Sequence, residues 1–292
     1  MTVNPNDPNA RPPQRTGGSR IGLDLWPRVA AAVVLGLAAL AVAWIGGFVF
    51  VAFWWIASVV VLWEWQRIVG REGSIARVAA GAGMLALAAL LSLHNRALLA
   101  VAALAATAVA VGWLAERDRR VWAGAGALYA GALVVSLGLL QASPTYGLPA
   151  ILWLFAIVWG ADVAAYFAGR AIGGPKLWPS VSPGKTWSGA VAGSLAGAAL
   201  GLASSLILVP GSLAIARVFE LGFAAAVVSE LGDLLESAVK RRFGVKDSSR
   251  LIPGHGGLMD RLDSFIAAST FVAIVAAANS RGSFIASGLF QW

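Results

Sequence analysis

The sequence predicts an all-α integral membrane protein, a polytopic bundle of about nine transmembrane helices with its N-terminus in the cytoplasm. Three observations predict it. The 292 residues are 59% hydrophobic and 12% charged, with mean hydropathy +0.77, which leaves too little polar surface to cover a water-soluble globule of this size. The chain contains nine apolar runs of roughly the 20 residues that span a bilayer core. Its basic residues gather between alternate runs, as the positive-inside rule requires.

Taken in order, the first 26 residues (MTVNPNDPNARPPQRTGGSRIGLDLW) are rich in Pro, Asn, Gly and Arg and read as a disordered basic cytoplasmic arm. They do not read as a signal peptide, because the charged stretch is too long and no small-residue cleavage site follows the first apolar run. The runs lie near 27–45, 48–66, 76–93, 97–115, 121–142, 148–168, 189–209, 213–235 and 262–280. The third and seventh are rich in Ala and Gly, which lowers their hydropathy but lets helices pack closely, so eight spans is the alternative count. With the N-terminus inside, all but three of the 22 Lys and Arg fall on the cytoplasmic side, the exceptions being Arg96, Arg217 and Arg281. That places the C-terminus outside, and removing a middle span would scramble the alternation. The expected organisation is the arm (1–26), N-terminal transmembrane helices of nearly featureless composition (27–147), and a C-terminal transmembrane region (148–292) in which function is expected, because polar residues accumulate there at helix ends and in cytoplasmic loops.

Composition also narrows the chemistry. The absence of cysteine removes disulfides and thiolate metal sites. The net charge of +8 does not point to nucleic acid, since no soluble domain with a basic face is visible, and anionic lipid headgroups or phosphorylated substrates fit better. No Gly-rich strand-turn-helix marks a dinucleotide or P-loop site, and no internal repeat stands out.

Four polar clusters occupy the second half. In WGADVAAYFAGR (159–170), Asp162 falls inside the sixth run and Tyr166 lies one turn later on the same helical face. An intramembrane carboxylate is costly and marks either a functional site or a structural pair with a basic residue of a neighbouring helix. In GGPKLWPSVSPGKTWSG (173–189), Ser182, Pro183, Gly184, Lys185 and Thr186 offer backbone and hydroxyl donors and a cation just before a helix, a setting for phosphate, or equally an ordinary Pro and Gly turn. In SELGDLLESAVKRR (229–242), Glu230, Asp233 and Glu236 recur every three residues and Lys240 follows Glu236 by four. Acids there can form a solvated interface, but three in one stripe at membrane depth favour a cation such as Mg²⁺, which takes carboxylate oxygens and leaves room for phosphates. Finally, KDSSRLIPGHGGLMDRLDS (246–264) sets Lys246, Asp247 and Arg250 before Pro253, Gly254, His255, Gly256 and Gly257, a non-helical segment whose glycines allow close backbone approach to a ligand. Asp260 and Asp263 then open the last span on one face, either as functional acids or as charges that favour the helix dipole. A lone His beside glycines is as readily structural as catalytic.

The run SAVKRRFGVKDSSRLIPGHGGLMDRLD (237–263) resembles the signature of the phosphatidate cytidylyltransferase (CDP-diacylglycerol synthase) family. GDLLES just before it, SPGKTW upstream and DVAAYFAGR in the sixth run resemble family segments in the same order, while the N-terminal helices are similar only in being hydrophobic. Ser188 departs from the Glu or Gln that many members carry after SPGKTW. The resemblance implies an enzyme of phospholipid biosynthesis, a nucleotidyltransferase in the cell membrane with its active site on the cytoplasmic face. Its reaction would convert CTP and phosphatidic acid to CDP-diacylglycerol and pyrophosphate, with Mg²⁺ or another divalent cation and room for a second cation. It implies metal ligation by Asp233 and Asp260, with Asp263, Glu230 and Asp162 next in line. Lys240, Arg241, Lys246 and Arg261 would neutralise phosphates beside Asp247 and His255. Ser182, Pro183, Lys185, Thr186, Asp162 and Tyr166, with the backbone of Gly256 and Gly257, would bind substrate. The partners so implied are CTP, phosphatidic acid and membrane lipids, with a homodimer a possible assembly and no nucleic acid.

Two other classes compete. A polytopic membrane transporter shares the helices and buried carboxylates but more often shows a repeat, and has no need of so many cations at one face. A non-catalytic lipid-binding protein could keep the same motifs. A CDP-alcohol phosphotransferase is excluded, because its D-x-x-D-G-x-x-A-R run is absent.

Overall fold

A computed structural model describes residues 25–70, 74–209, 213–252 and 256–291, with side chains from residue 30 onward. The predicted arm over 1–26 lies, but for its last two residues, outside the described residues, and so does His255.

The described residues form nine α-helices: α1 (Leu25–Ile45), α2 (Gly47–Val69), α3 (Ser74–Leu93), α4 (Ala97–Trp113), α5 (Arg120–Gln141), α6 (Gly147–Ala171), α7 (Trp187–Leu208), α8 (Ile215–Arg242) and α9 (Met259–Asn279). A short antiparallel hairpin, β1 (Lys176–Trp178) and β2 (Ser182–Thr186), links α6 to α7, and a 3₁₀ turn over Ile285–Leu289 follows α9. The nine apolar runs thus become nine helices, and the two Ala- and Gly-rich runs are helical like the rest. The stretch 173–189, expected as a loop, is corrected to a hairpin, in which Lys176 pairs with Thr186 and Trp178 with Ser182.

Six helices, α2, α3, α5, α6, α7 and α9, are long and apolar enough to cross a membrane. The apolar part of α1 and the 17 residues of α4 are shorter. Helix α8 has length to spare, since 28 residues at about 1.5 Å each give about 42 Å, and its charged residues, Arg217 and Glu220 early and the acidic and basic run from Glu230 onward, lower its hydropathy. Its last turn, Lys240, Arg241 and Arg242, therefore continues past the apolar stretch.

Helix α5 is the centre of the bundle: 78% of its apolar window is buried, against 28–50% for the other five long apolar helices. Around it the second half is joined to the first by stacked rings. Trp54 of α2 lies 5.3 Å from Phe265 of α9, and Phe265 lies 5.2 Å from Phe155 of α6. Contacts of this kind add to dispersion packing, which drives helix association where lipid is as apolar as the side chains.

The tightest pair is α6 with α7. Gly189, Gly193 and Gly197 recur at helical spacing on one face of α7, and a Cβ at any of them would sit 2.8 Å from a backbone carbonyl of α6, that of Ala165, Ala161 or Ile157. Only glycine permits this approach, which presses the start of α7, and with it the hairpin, against the polar end of α6.

Candidate functional site

The polar residues of α8 divide into two lysine-centred clusters. In the first, β2 carries Lys185 to α8, where its Nζ lies 2.6 Å from Glu230 Oε2 and 2.9 Å from Asp233 Oδ2. The hairpin aims it because its end is fixed: Thr186 caps α7 by accepting a hydrogen bond from the Gly189 amide at 3.2 Å, and the Trp187 amide donates to the Pro175 carbonyl at 3.0 Å. Partial burial works to lower the Lys185 pKa, but the Asp233 and Glu230 carboxylates outweigh it and hold the ammonium above its ordinary value.

Beside Lys185 opens a cavity of about 670 Å³, lined among others by Asp162, Tyr166, Arg170, Lys176, Ser182 and Thr186. Arg170 donates to the Tyr166 hydroxyl at 2.8 Å, so the tyrosine one turn below Asp162 fixes a guanidinium at the cavity wall. Its wall carries three cations (Lys176, Lys185 and Arg170), three hydroxyls (Tyr166, Ser182 and Thr186) and three carboxylates (Asp162, Glu230 and Asp233), a mixed lining that offers donors to an anionic headgroup and oxygens to a cation.

In the second cluster, Lys240 reaches Glu236 Oε2 at 2.6 Å, the pair spaced by four residues on α8, and Asp260 Oδ1 at 2.7 Å on α9. Asp260 also accepts from the Ser248 amide at 3.0 Å, the Ser248 hydroxyl at 3.0 Å and the Gly257 amide at 2.8 Å. Asp233 accepts from the Ser237 hydroxyl at 3.3 Å, which links the two clusters along α8. Asp263 is buried on α9 and accepts from the Ser264 amide at 2.8 Å, within electrostatic reach of Asp233 and Asp162.

The structure thus brings Glu230, Asp233 and Lys185 together, with Asp162, Tyr166, Ser182 and Thr186 around one cavity, and separately joins Lys240 to Asp260. It leaves Arg241, Lys246, Asp247 and Arg261 exposed at the rim, where Arg241 donates to the Val245 carbonyl at 3.0 Å. Pro183 is exposed on the hairpin. The glycines expected to approach a ligand approach the protein's own carboxylates. Gly256, at φ +82°, would place a Cβ 2.6 Å from Asp260 Oδ2, and one on Gly257 would strike Glu64 and the Ser248 hydroxyl.

Glu64 is what sequence reasoning missed. It is the only acid within the first five apolar runs, and the rule that singled out Asp162 applies equally to it. The first half of the chain is therefore not featureless: α2 sends a fully buried carboxylate into the loop before α9.

Six carboxylates, Asp162, Glu230, Asp233, Glu236, Asp260 and Asp263, lie around Lys185 and Lys240, with two further cations, Lys176 and Arg170, at the cavity wall. That formal excess of negative charge in a bundle interior suits a divalent cation, which carboxylate oxygens prefer. Among the described residues no three such side chains converge on one point, because the two lysines stand between them. The donor set fits the charge of a cation, provided a lysine gives way to it.

Residues 26–278 match the profile of the Cytidylyltransferase family. A protein of Brucella suis biovar 1 named phosphatidate cytidylyltransferase is 40% identical over 256 residues, covering 87% of this chain and 94% of its own. One of the same name from Pseudomonas aeruginosa is 40% identical over 242 residues (76% of this chain, 87% of its own). Another from Haemophilus influenzae is 47% identical over 146 residues, half of its length.

Proposed function

The chain belongs to the cytidylyltransferase family, and from that premise we propose that it makes CDP-diacylglycerol and pyrophosphate from CTP and phosphatidic acid. The observation that carries the proposal is the pair of lysine–carboxylate clusters on one stretch of α8, Glu230 to Lys240, beside a cavity whose wall carries cations, hydroxyls and carboxylates together.

A phosphate oxygen of the lipid attacks the α-phosphorus of CTP, a new P–O bond forms, and the bond to the β-phosphate oxygen breaks as pyrophosphate leaves. The nucleophile is already an anion, so no strong base is required, and His255 need not be one. The obstacle is repulsion between two polyanions, and positioned cations answer it.

Lys185 offers an ammonium that stays protonated and can turn from Glu230 and Asp233 to a phosphate. With Lys176, Arg170, Ser182 and Thr186 it would hold the lipid headgroup in the cavity. Lys240 would do the same for the nucleotide, with Arg241, Lys246 and Arg261 at the rim adding attraction that salt screens. The carboxylates released by the two lysines, Asp233 and Asp260 first and Glu230 or Asp263 beside them, would hold Mg²⁺ or a similar cation. When bound, that ion would neutralise charge on the phosphates and the leaving pyrophosphate. With the N-terminus inside, both clusters face the cytoplasm, where CTP is found, and the lipid enters sideways between helices with its headgroup at interface depth.

Purified protein supplied with CTP, Mg²⁺ and phosphatidic acid should release CDP-diacylglycerol and pyrophosphate in equal amounts, and EDTA should stop both. No product in the complete mixture would sink the proposal, and undiminished product with EDTA would sink its metal.

A further inference from the structure

We infer that Glu64 of α2 is a positioning residue for Asp260, acting through Ser248 and the first amides of α9; the inference rests on the role proposed above for Asp260.

Glu64 is fully buried, 184 to 195 residues in sequence from the groups it holds, and each of its oxygens accepts two hydrogen bonds. Oε1 accepts from the Ser249 hydroxyl at 2.5 Å and the Leu258 amide at 2.9 Å; Oε2 accepts from the Met259 amide at 2.6 Å and the Ser248 hydroxyl at 3.1 Å. The amides are those a helix leaves without an internal partner at its N-terminus, and the local N-cap residue, Leu258, makes no side-chain capping bond. A carboxylate there also meets the positive end of the helix dipole. The cap for α9 therefore comes from α2.

The link to Asp260 runs through one atom. The Ser248 hydroxyl lies 3.1 Å from Glu64 Oε2 and 3.0 Å from Asp260 Oδ2, and a hydroxyl has one proton to give, so it serves one carboxylate at a time. The Ser248 and Gly257 amides, which hold Asp260, belong to the same two segments that Glu64 ties down. When Asp260 turns from Lys240 toward a ligand, Ser248 can pass its proton bond to Glu64 without the loop shifting. Glu64 thus sets where Asp260 starts and what holds the loop after it moves. Glycine at 257 is the sequence counterpart, since a side chain there would occupy the space of the Glu64 carboxylate.

Two variants separate this role from plain structural support. Glu64→Gln replaces an acceptor oxygen by a carboxamide NH2 facing N–H and O–H donors, whereas Ser248→Ala keeps the carboxylate and its amide bonds and removes only the hydroxyl that joins Glu64 to Asp260. Measured in detergent with CTP, phosphatidic acid and titrated Mg²⁺, both should lower kcat by roughly 10- to 100-fold and raise the Mg²⁺ needed for half-maximal rate, with KM for phosphatidic acid nearly unchanged. Glu116→Gln, at an exposed loop acid, should match the parent chain. Hydrogen exchange, read without turnover, should quicken about tenfold or more over 257–259 in Glu64→Gln and stay unchanged in α3 and α4. Unchanged exchange there would overturn the hold on the loop. Parental kcat and Mg²⁺ requirement in Ser248→Ala would overturn the link to Asp260. A parent chain that makes no product defeats the enzymatic reading instead, and leaves the exchange result to decide the Glu64 hold alone.

Discussion

Replacing Lys185 by Met tests whether the first cluster is held by charge. Met keeps most of the aliphatic stem, so the loss is the ammonium, which lies 2.6 Å from Glu230 and 2.9 Å from Asp233. Removing one partner of a fully buried ion pair costs about 3–5 kcal/mol, because the remaining charge stays desolvated. Side-chain exposures of 22% for Lys185, 10% for Glu230 and 32% for Asp233 place this trio short of full burial and reduce the expected loss to about 2–3 kcal/mol. At about 2–4 °C per kcal/mol for chains of 150–250 residues, the melting temperature should fall by about 4–12 °C. Thermal unfolding of the detergent-solubilised protein, followed through its 13 tryptophans, reads this directly.

The double variant Lys185→Met with Glu230→Gln removes the stranded charge and should recover about half of the lost stability, a coupling that non-interacting positions would not show. It should not recover turnover, because the ammonium is still missing. The Lys185 pKa is raised above its ordinary 10.5, so the stabilisation is fully present below about pH 10 and fades only as pH rises through the higher folded-state value. The destabilisation should therefore be the same at pH 6 and pH 9. A Lys185→Met protein that melts with the parent, or a double variant no more stable than the single one, would refute the charge argument.

Asp233→Asn and Asp260→Asn should each abolish CDP-diacylglycerol formation while the protein remains extractable and folded; near-parental turnover in either would remove that residue from the proposed cation site. Gly193→Val should loosen the α6–α7 pair, since its Cβ alone would lie 2.8 Å from the Ala161 carbonyl; overpacking of this kind costs about 1–3 kcal/mol, and a melting temperature equal to the parent's would show that the close approach is not needed.

Hydropathy located the helices well because it follows from the bilayer, which demands about 20 apolar residues per crossing. The predicted run 97–115 became Ala97–Trp113 and 121–142 became Arg120–Gln141. The run 213–235 fell short of the end of α8 by a full two turns, because Glu236, Lys240, Arg241 and Arg242 end an apolar stretch without ending a helix. Hydropathy reports the solvent a segment prefers, and here the acids and lysines satisfy one another inside the protein. The hairpin was invisible for another reason: strands of three and five residues, the second with Pro183 and Gly184 inside it, carry no alternation to read.

The residue types of the candidate site could be read in the sequence, and their pairing could not. Spacing showed that Glu236 and Lys240 share a face, and they do meet at 2.6 Å, but nothing in it could say that Lys185 sits between Glu230 and Asp233, or that Asp260 answers to Lys240. Those contacts depend on how α7 is pressed against α6 and how α9 is capped from α2, both properties of packing. The pairing also bears on the chemistry. Each lysine already lies between two carboxylates, so an entering phosphate competes for it rather than finding it idle, and whatever it wins leaves carboxylates that need a new partner. In the proposed site polyphosphate and divalent cation would favour each other's binding: a phosphate that draws a lysine away would uncover the proposed cation ligands, and a cation on them would release the lysine. By linkage the coupling is reciprocal, so CTP should tighten Mg²⁺ binding by the same factor that Mg²⁺ tightens CTP.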